Sequence, residues 1–215
     1  MSSACAGPLR VSGPRRVGVL ISGRGTNLQS LIDAARAGRL GGEIALVVSN
    51  VADAPGLARS RQAGIPALFR DHRRRPREDF DRELRELLGE HRVDLVCLAG
   101  YLRLLSPAFV HAFRERILNV HPSLLPAFSG LEAQRLAWEH GVKVSGATVH
   151  FVEEALDSGP IVLQESVAVH EDDTAASLSA RILDAEHRIY PRAVRLVLAG
   201  RYRREGRRII VLEDA

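Results

Sequence analysis

The sequence predicts an α/β fold, a single domain built on a mostly parallel twisted sheet with helices on both faces. Three observations carry that prediction. Short apolar runs recur along the chain, among them Arg16–Ser22, Glu43–Ser49 and Ile117–His121, and stretches of helical spacing separate them. The run Val93–Ala99 is almost wholly apolar, as a parallel strand covered on both faces must be. The first run passes through a glycine turn, Gly23-Arg24-Gly25-Thr26-Asn27, directly into a helical pattern. At 215 residues and 46% hydrophobic composition, the chain can bury one sizeable core. The domain is expected over residues 15–215, behind a flexible leader of residues 1–14.

Taken in order, Arg16–Ser22 reads as a buried strand and Leu28–Ala37 as the helix after the glycine turn. Glu43–Ser49 is a strand, Gly56–Ala63 a short helix and Ile65–Phe69 a further strand. Phe80, Leu84, Leu87 and Leu88 recur at helical spacing in Arg77–Glu90, and Gly100 marks the end of the central strand Val93–Ala99. Ser106 is placed to cap a helix with Pro107 at its first position, running to about Arg116. Ile117–His121 is the next strand, stopped by Pro122. A helix over Leu131–His140 follows, then strands over Val144–Val152 and Ile161–Val169 joined through Asp157-Ser158-Gly159-Pro160. Thr174 caps a long helix to about Leu198, and Arg201–Leu212 reads as a hairpin around Glu205-Gly206. The last strands are where departure from parallel pairing is expected.

Composition narrows the partners. Thirty basic and 26 acidic residues leave a net charge of +4, and Lys143 is the only lysine, a skew expected of a GC-rich, bacterial genome. The arginines are scattered, so nucleic acid is not expected; the Arg73–Arg75 and Arg201–Arg208 clusters read as solvated faces. Cys5 and Cys97 give neither a disulfide framework nor a thiolate metal site. No segment has the apolar core of a signal peptide or the length of a membrane span, so a soluble, cytoplasmic protein is expected.

Chemistry is expected where Ile117–His121 ends. Asn119 and His121 are two residues apart, so on a strand their side chains leave one face roughly 7 Å apart. An amide and an imidazole then sit at a carboxyl strand end, where open α/β sheets bind ligands. Asp157 is the carboxylate best placed by topology to join them, although Asp-Ser-Gly-Pro is also ordinary turn chemistry. His150 reads as a packed or hydrogen-bonded histidine. The glycine turn at Gly23–Asn27 suits a phosphomonoester at a helix N-terminus; it lacks the third glycine of a dinucleotide loop and the Gly-Lys-Ser/Thr of a P-loop. A tight turn needing glycine for its own backbone is the competing reading. Ser123 has no nucleophile elbow, and the histidines show no metal-ligand spacing, so neither a hydrolase triad nor a metal is expected.

Several motifs together are specific: Leu20-Ile21-Ser22-Gly23-Arg24-Gly25-Thr26-Asn27-Leu28-Gln29, Leu98–Pro107, Leu118–Pro126, and Thr148–Val152 leading to Leu156-Asp157-Ser158-Gly159-Pro160. Through them the chain resembles the folate-dependent glycinamide ribonucleotide formyltransferases of purine biosynthesis. The resemblance covers nearly everything after the leader. It implies a Rossmann-like formyltransferase fold, with 10-formyltetrahydrofolate as co-substrate and direct formyl transfer to the amine of glycinamide ribonucleotide. Carried onto matching positions, Asn119 and protonated His121 would stabilise an oxyanion, and Asp157 would sustain the imidazolium and help move a proton. Gly25, Thr26 and Asn27 would hold the phosphate and Glu186 the ribose hydroxyls. Leu102, Arg103, Leu105 and Val152, with the Glu153–Asp157 loop, would form the pterin pocket, and Arg77 would support substrate or folate. The resemblance thus assigns the N-terminal part to substrate and the C-terminal part to folate and catalysis, and leaves oligomeric state open, a homodimer included.

Two departures stand out. Family members often carry a polar side chain to the phosphate one turn before the ribose-binding Glu, where this chain has Leu183; the phosphate is then expected to lean on the glycine loop and an arginine. The Ser129–Gln134 segment lacks the histidine of commoner versions. Methionyl-tRNA formyltransferase and formyltetrahydrofolate deformylase share the Asn–His–Asp core but carry an additional domain for which this length leaves no room. A silent folate or sugar-phosphate binding module would predict a damaged triad, and all three residues are intact.

Overall fold

The structure, a computed structural model, describes residues 15–212; the leader, with Cys5, lies outside the described residues. In chain order it forms β1 (Arg16–Ile21), α1 (Thr26–Arg36), β2 (Glu43–Ser49), α2 (Pro55–Gln62), β3 (Ala67–Phe69), α3 (Arg77–Glu90), β4 (Leu95–Leu98), α4 (Pro107–Ala112) and β5 (Ile117–His121). The chain continues through α5 (Ala133–Glu139), β6 (Val144–Phe151), β7 (Ile161–Ala168), α6 (Ala175–Leu198), β8 (Tyr202–Glu205) and β9 (Arg208–Val211).

One sheet holds every strand in the order β3-β2-β1-β4-β5-β6-β7-β9-β8. Pairing from β3 to β5 is parallel; β6 runs antiparallel to both β5 and β7, and the β8–β9 hairpin joins β7 through β9. The mostly parallel α/β architecture expected from the sequence is therefore present, and parallel pairing first breaks at β6.

Alternation along the strands separates two cores. In β1, Val17, Val19 and Ile21 face a core shared with α1 and α6, whereas Leu20 faces one shared with α3 and α4. Tyr190 of α6 is fully buried, and its hydroxyl lies 3.0 Å from the Leu98 carbonyl and 3.1 Å from that of Leu118, tying the long helix to β4 and β5. Thr174 and Ser177 form a capping box at the start of α6, as the sequence leads one to expect.

Among the boundaries that differ from expectation, three have local reasons. β3 begins at Ala67 rather than Ile65, since Pro66 has no N–H to offer the ladder. The helix α4 stops at Ala112, and Glu115 turns the chain into β5 at φ 57°. The helix α5 starts two residues late because Glu132 takes φ 60°.

The strand order reverses direction between β1 and β4, which is where ligands bind in open α/β sheets. The glycine turn after β1 and the Gly100–Leu105 loop after β4 leave this point side by side: Ser22 N donates to Gly100 O at 3.0 Å, and Leu102 N donates to Ser22 Oγ at 2.9 Å. Gly25 is required there, with φ 71° and a notional Cβ only 2.7 Å from the Gly56 Cα.

Gly159 is equally constrained. A Cβ at this position would stand 1.8 Å from the Phe151 carbonyl oxygen, a backbone atom of β6. Gly159→Ala is expected to lower stability by about 1–3 kcal/mol or more, because the β6–β7 connection must open to admit the methyl. A thermal melt measures the loss, and assay of the surviving folded protein should show impaired turnover, since Asp157 rides on the same connection.

Candidate active site

β5 carries Ile117, Asn119 and His121 on one face, so an apolar strand delivers two polar side chains at its end. Antiparallel pairing sets His150 of β6 opposite Asn119 and Thr148 opposite His121. The structure thereby brings four groups together. His121 Nδ1 stands 3.5 Å from Asp157 Oδ2, His150 Nε2 stands 3.7 Å from Asp157 Oδ1, and Asn119 Nδ2 lies 3.2 Å from His150 Nε2. Asn119 and Asp157 are thus linked through His150. The carboxylate is held from the other side by Gly130 N, which donates to Oδ2 at 2.8 Å, and the Asp157 backbone is left-handed at φ 49°.

Hydrogen bonding orients both imidazoles. A carbonyl can only accept, so the 2.8 Å contact of His121 Nε2 with Phe128 O puts a proton on Nε2. By the same logic His150 Nδ1 donates to Phe151 O at 2.8 Å, leaving Nε2 to accept from the Asn119 amide. Burial pushes the His150 imidazole below its ordinary pKa, against the opposing pull of the Phe151 carbonyl and the Asp157 charge, so the neutral form is favoured. His121 Nδ1 is the looser nitrogen, since 3.5 Å is long for a hydrogen bond.

The segment after His121 is held from beneath. Thr148 Oγ1 donates to Ser123 O at 2.6 Å and accepts from Leu125 N at 3.1 Å, while Gln164 Nε2 of β7 reaches Thr148 Oγ1 and Leu125 O, each at 2.9 Å. Neither Thr148 nor Gln164 stands out in the sequence as a site residue. Their signal is positional, as polar residues on alternating strands beside the one that carries His121.

These groups open into a cavity of about 560 Å³, within the range of small-molecule sites. Leu102, Arg103, Leu105 and Val152 line it, with the whole Glu153–Asp157 loop. Leu102, Leu104, Leu131 and Leu156 are exposed along it and give it apolar walls. Asn27 and Glu186 also line it; Gly25 and Thr26 are at the start of α1 but do not border it. Arg77 is exposed outside the cavity, 3.6 Å from Glu78. Leu183 is half-buried on α6, three residues before Glu186. His187, next to Glu186, has a buried Nε2 without a hydrogen-bond partner, a polar group that sequence reasoning passed over. Among the described residues no cluster of His, Cys, Asp or Glu is arranged to hold a metal, and no helix is long and apolar enough to cross a membrane.

Glu186 is 5% exposed and accepts from Asn27 Nδ2 at 2.7 Å. Burial pushes its carboxyl up from 4.5 to about 7, with the Asn27 amide pulling the other way. Between those values the folded protein holds a proton that the unfolded chain has released. The stability this group contributes is therefore full below pH 4.5 and lost as pH rises through 7. Glu186→Gln is expected to match the wild type near pH 4.5 and to exceed its stability at pH 8 by up to about 3 kcal/mol. Denaturant melts at the two pH values check this; a difference that does not vary with pH contradicts it.

This geometry, a cavity at the switch point of a mostly parallel sheet with an Asn–His–Asp cluster at its wall, defines a class that sequence comparison identifies. The chain belongs to the formyl transferase family, whose model, described as "Formyl transferase", matches residues 15–194. It is 43% identical over 190 residues to the phosphoribosylglycinamide formyltransferase of Haemophilus influenzae, covering 88% of this chain and 90% of that one. It is 48% identical over 186 residues to the trifunctional purine biosynthetic protein adenosine-3 of Gallus gallus, where the match covers 86% of this chain but only 18% of the relative. Among solved structures, glycinamide ribonucleotide transformylase 1 from Symbiobacterium toebii matches with a TM-score of 0.91 and 57% identity, covering 93% of this chain and 95% of that one.

Proposed function

We propose that this protein transfers the formyl group of 10-formyltetrahydrofolate to the amine of glycinamide ribonucleotide. The observation that carries the proposal is the convergence of Asn119, His121 and Asp157 at one cavity wall in a chain of the formyl transferase family. The amine attacks the formyl carbon, a C–N bond forms, and the carbonyl oxygen becomes an oxyanion. The bond from carbon to N10 of the folate then breaks, and the proton lost by the amine ends on N10.

Each group has a part in this sequence. Asn119 donates an amide hydrogen to the oxyanion, its orientation held by His150 Nε2. His121 is clamped through Nε2 by the Phe128 carbonyl, so in the imidazolium the second N–H, at Nδ1, is the donor left for the reacting centre. The Asp157 charge, 3.5 Å from Nδ1, offsets the imidazolium and provides the carboxylate through which the proton passes. The backbone amides of Gly25, Thr26 and Asn27 open α1 without a side-chain cap and are free to receive the substrate phosphate. Glu186 takes the ribose hydroxyls. The flat pterin enters between the apolar walls supplied by Leu102, Leu105 and Val152. Arg103, which lines the cavity, is assigned to the same pocket, and Arg77, exposed outside it, to support of substrate or folate.

The N-terminal part, joined by Glu186 of α6, therefore serves the ribonucleotide, and β5 with the loops after β4 and β6 serves the folate and the chemistry. We also assign the protein to the cytoplasm on its composition, with a homodimer as one oligomeric option that sedimentation can read directly. The proposal is tested by mixing the protein with 10-formyltetrahydrofolate and following tetrahydrofolate release with and without glycinamide ribonucleotide. Release only when the ribonucleotide is present is expected. Release that ignores it indicates a deformylase-like hydrolase, and no release indicates a binding module.

A further inference from the structure

The helix α3 buries a carboxylate that the chemistry above does not use. Asp81 is 1% exposed; its Oδ2 accepts from the Ser106 backbone N–H at 2.5 Å, and its Oδ1 is buried without a hydrogen-bond partner. Desolvating a carboxylate for one backbone hydrogen bond is a poor way to stabilise a fold, and an apolar residue would pack as well. Such a group is better explained by what it holds in place. Ser106 ends the Gly100–Leu105 loop and caps α4, its side chain accepting from Phe109 N.

The loop is thus pinned at both ends. At the front, Ser22 binds the Gly100 carbonyl and the Leu102 N–H; at the rear, Asp81 holds the Ser106 N–H. Between the pins, Leu102 and Leu104 are 72% and 58% exposed and line the cavity. Arg103 turns toward α3, its guanidinium 5.0 Å above the ring of Phe80, the residue before Asp81. The Tyr101 hydroxyl is buried between the charges of Asp81 and Arg103. Phe80 and Asp81 together therefore grip the inward side of the loop while its outward side faces ligand.

We propose that Asp81 is a positioning residue for the co-substrate pocket, fixing the rear of the Gly100–Leu105 loop so that its backbone and leucines meet the folate. This rests on the reading of the cavity as the formyl-donor site. The test is steady-state kinetics of full-length Asp81→Ala and Asp81→Asn against both substrates. Asp81→Ala is expected to raise the KM for 10-formyltetrahydrofolate about tenfold, the scale of a lost hydrogen bond to a charged group. The KM for the ribonucleotide and kcat should stay within about twofold of wild type, as for loss of uniform binding to one substrate. Asp81→Asn keeps an oxygen for the Ser106 N–H and should restore the folate KM to within about threefold.

A folded Asp81→Ala enzyme with both KM values unchanged, or both raised alike, contradicts the proposal, as does an Asn variant as impaired as Ala. If Asp81→Ala does not fold, Asp81→Ser is judged by the same two KM values. A wild-type enzyme inactive with both substrates overturns the underlying activity reading instead, so the two failures are distinguishable.

Discussion

Asp157→Asn is expected to fold as the wild type does and to lose at least about a thousandfold in kcat, the scale of general acid–base catalysis. The carboxamide is nearly isosteric, and its oxygen can still accept from Gly130 N, so the left-handed turn and the 2.8 Å contact that hold the loop need not change. What disappears is charge. Nothing then offsets a proton on His121 Nδ1, 3.5 Å away, and no carboxylate remains to relay the proton from the attacking amine. A thermal melt close to wild type, together with turnover near the detection limit, is the predicted pair of measurements. Wild-type turnover in this variant would remove Asp157 from the mechanism.

Asn119→Ala should lower kcat by about 100- to 1,000-fold with little change in either KM, the pattern of a donor that acts mainly on the developing oxyanion. Its partner makes the effect specific. Because burial favours neutral His150, whose Nδ1 already donates to the Phe151 carbonyl, Nε2 is left to accept and fixes which end of the Asn119 side chain points toward it. The alanine variant leaves that nitrogen without its donor but places no unpaired charge in the core. A variant with kcat intact and a raised KM would assign Asn119 to ground-state binding.

Much of the fold is legible in the sequence because parallel strands buried on both faces must be apolar, as β4 is throughout and β1 is after Arg16. Half of the site is legible for a related reason. The period of two along β5 forces Asn119 and His121 onto one face, and Pro122 ends the strand beneath them. The remainder depends on partners distant in sequence. The place of His150 in the cluster comes from the antiparallel register that sets it opposite Asn119, 31 residues away, which no local pattern encodes. The sequence reading of His150 as a hydrogen-bonded histidine holds, but its two neighbours in the site could not be read. The clamp on His121 by the Phe128 carbonyl is likewise a backbone contact that depends on the loop after Pro126 folding back. Arg77 shows the converse: its pattern places it at the start of α3, but the structure leaves it in solvent beside Glu78.

The nucleophile proposed for this site is the ribonucleotide amine and not water. The most direct measurement is a single turnover with the formyl carbon of 10-formyltetrahydrofolate isotopically labelled, excess enzyme and glycinamide ribonucleotide present, and the label traced by carbon NMR. The label is expected to appear as an amide on the ribonucleotide, in step with tetrahydrofolate, with none as formate. Label recovered as free formate would contradict it.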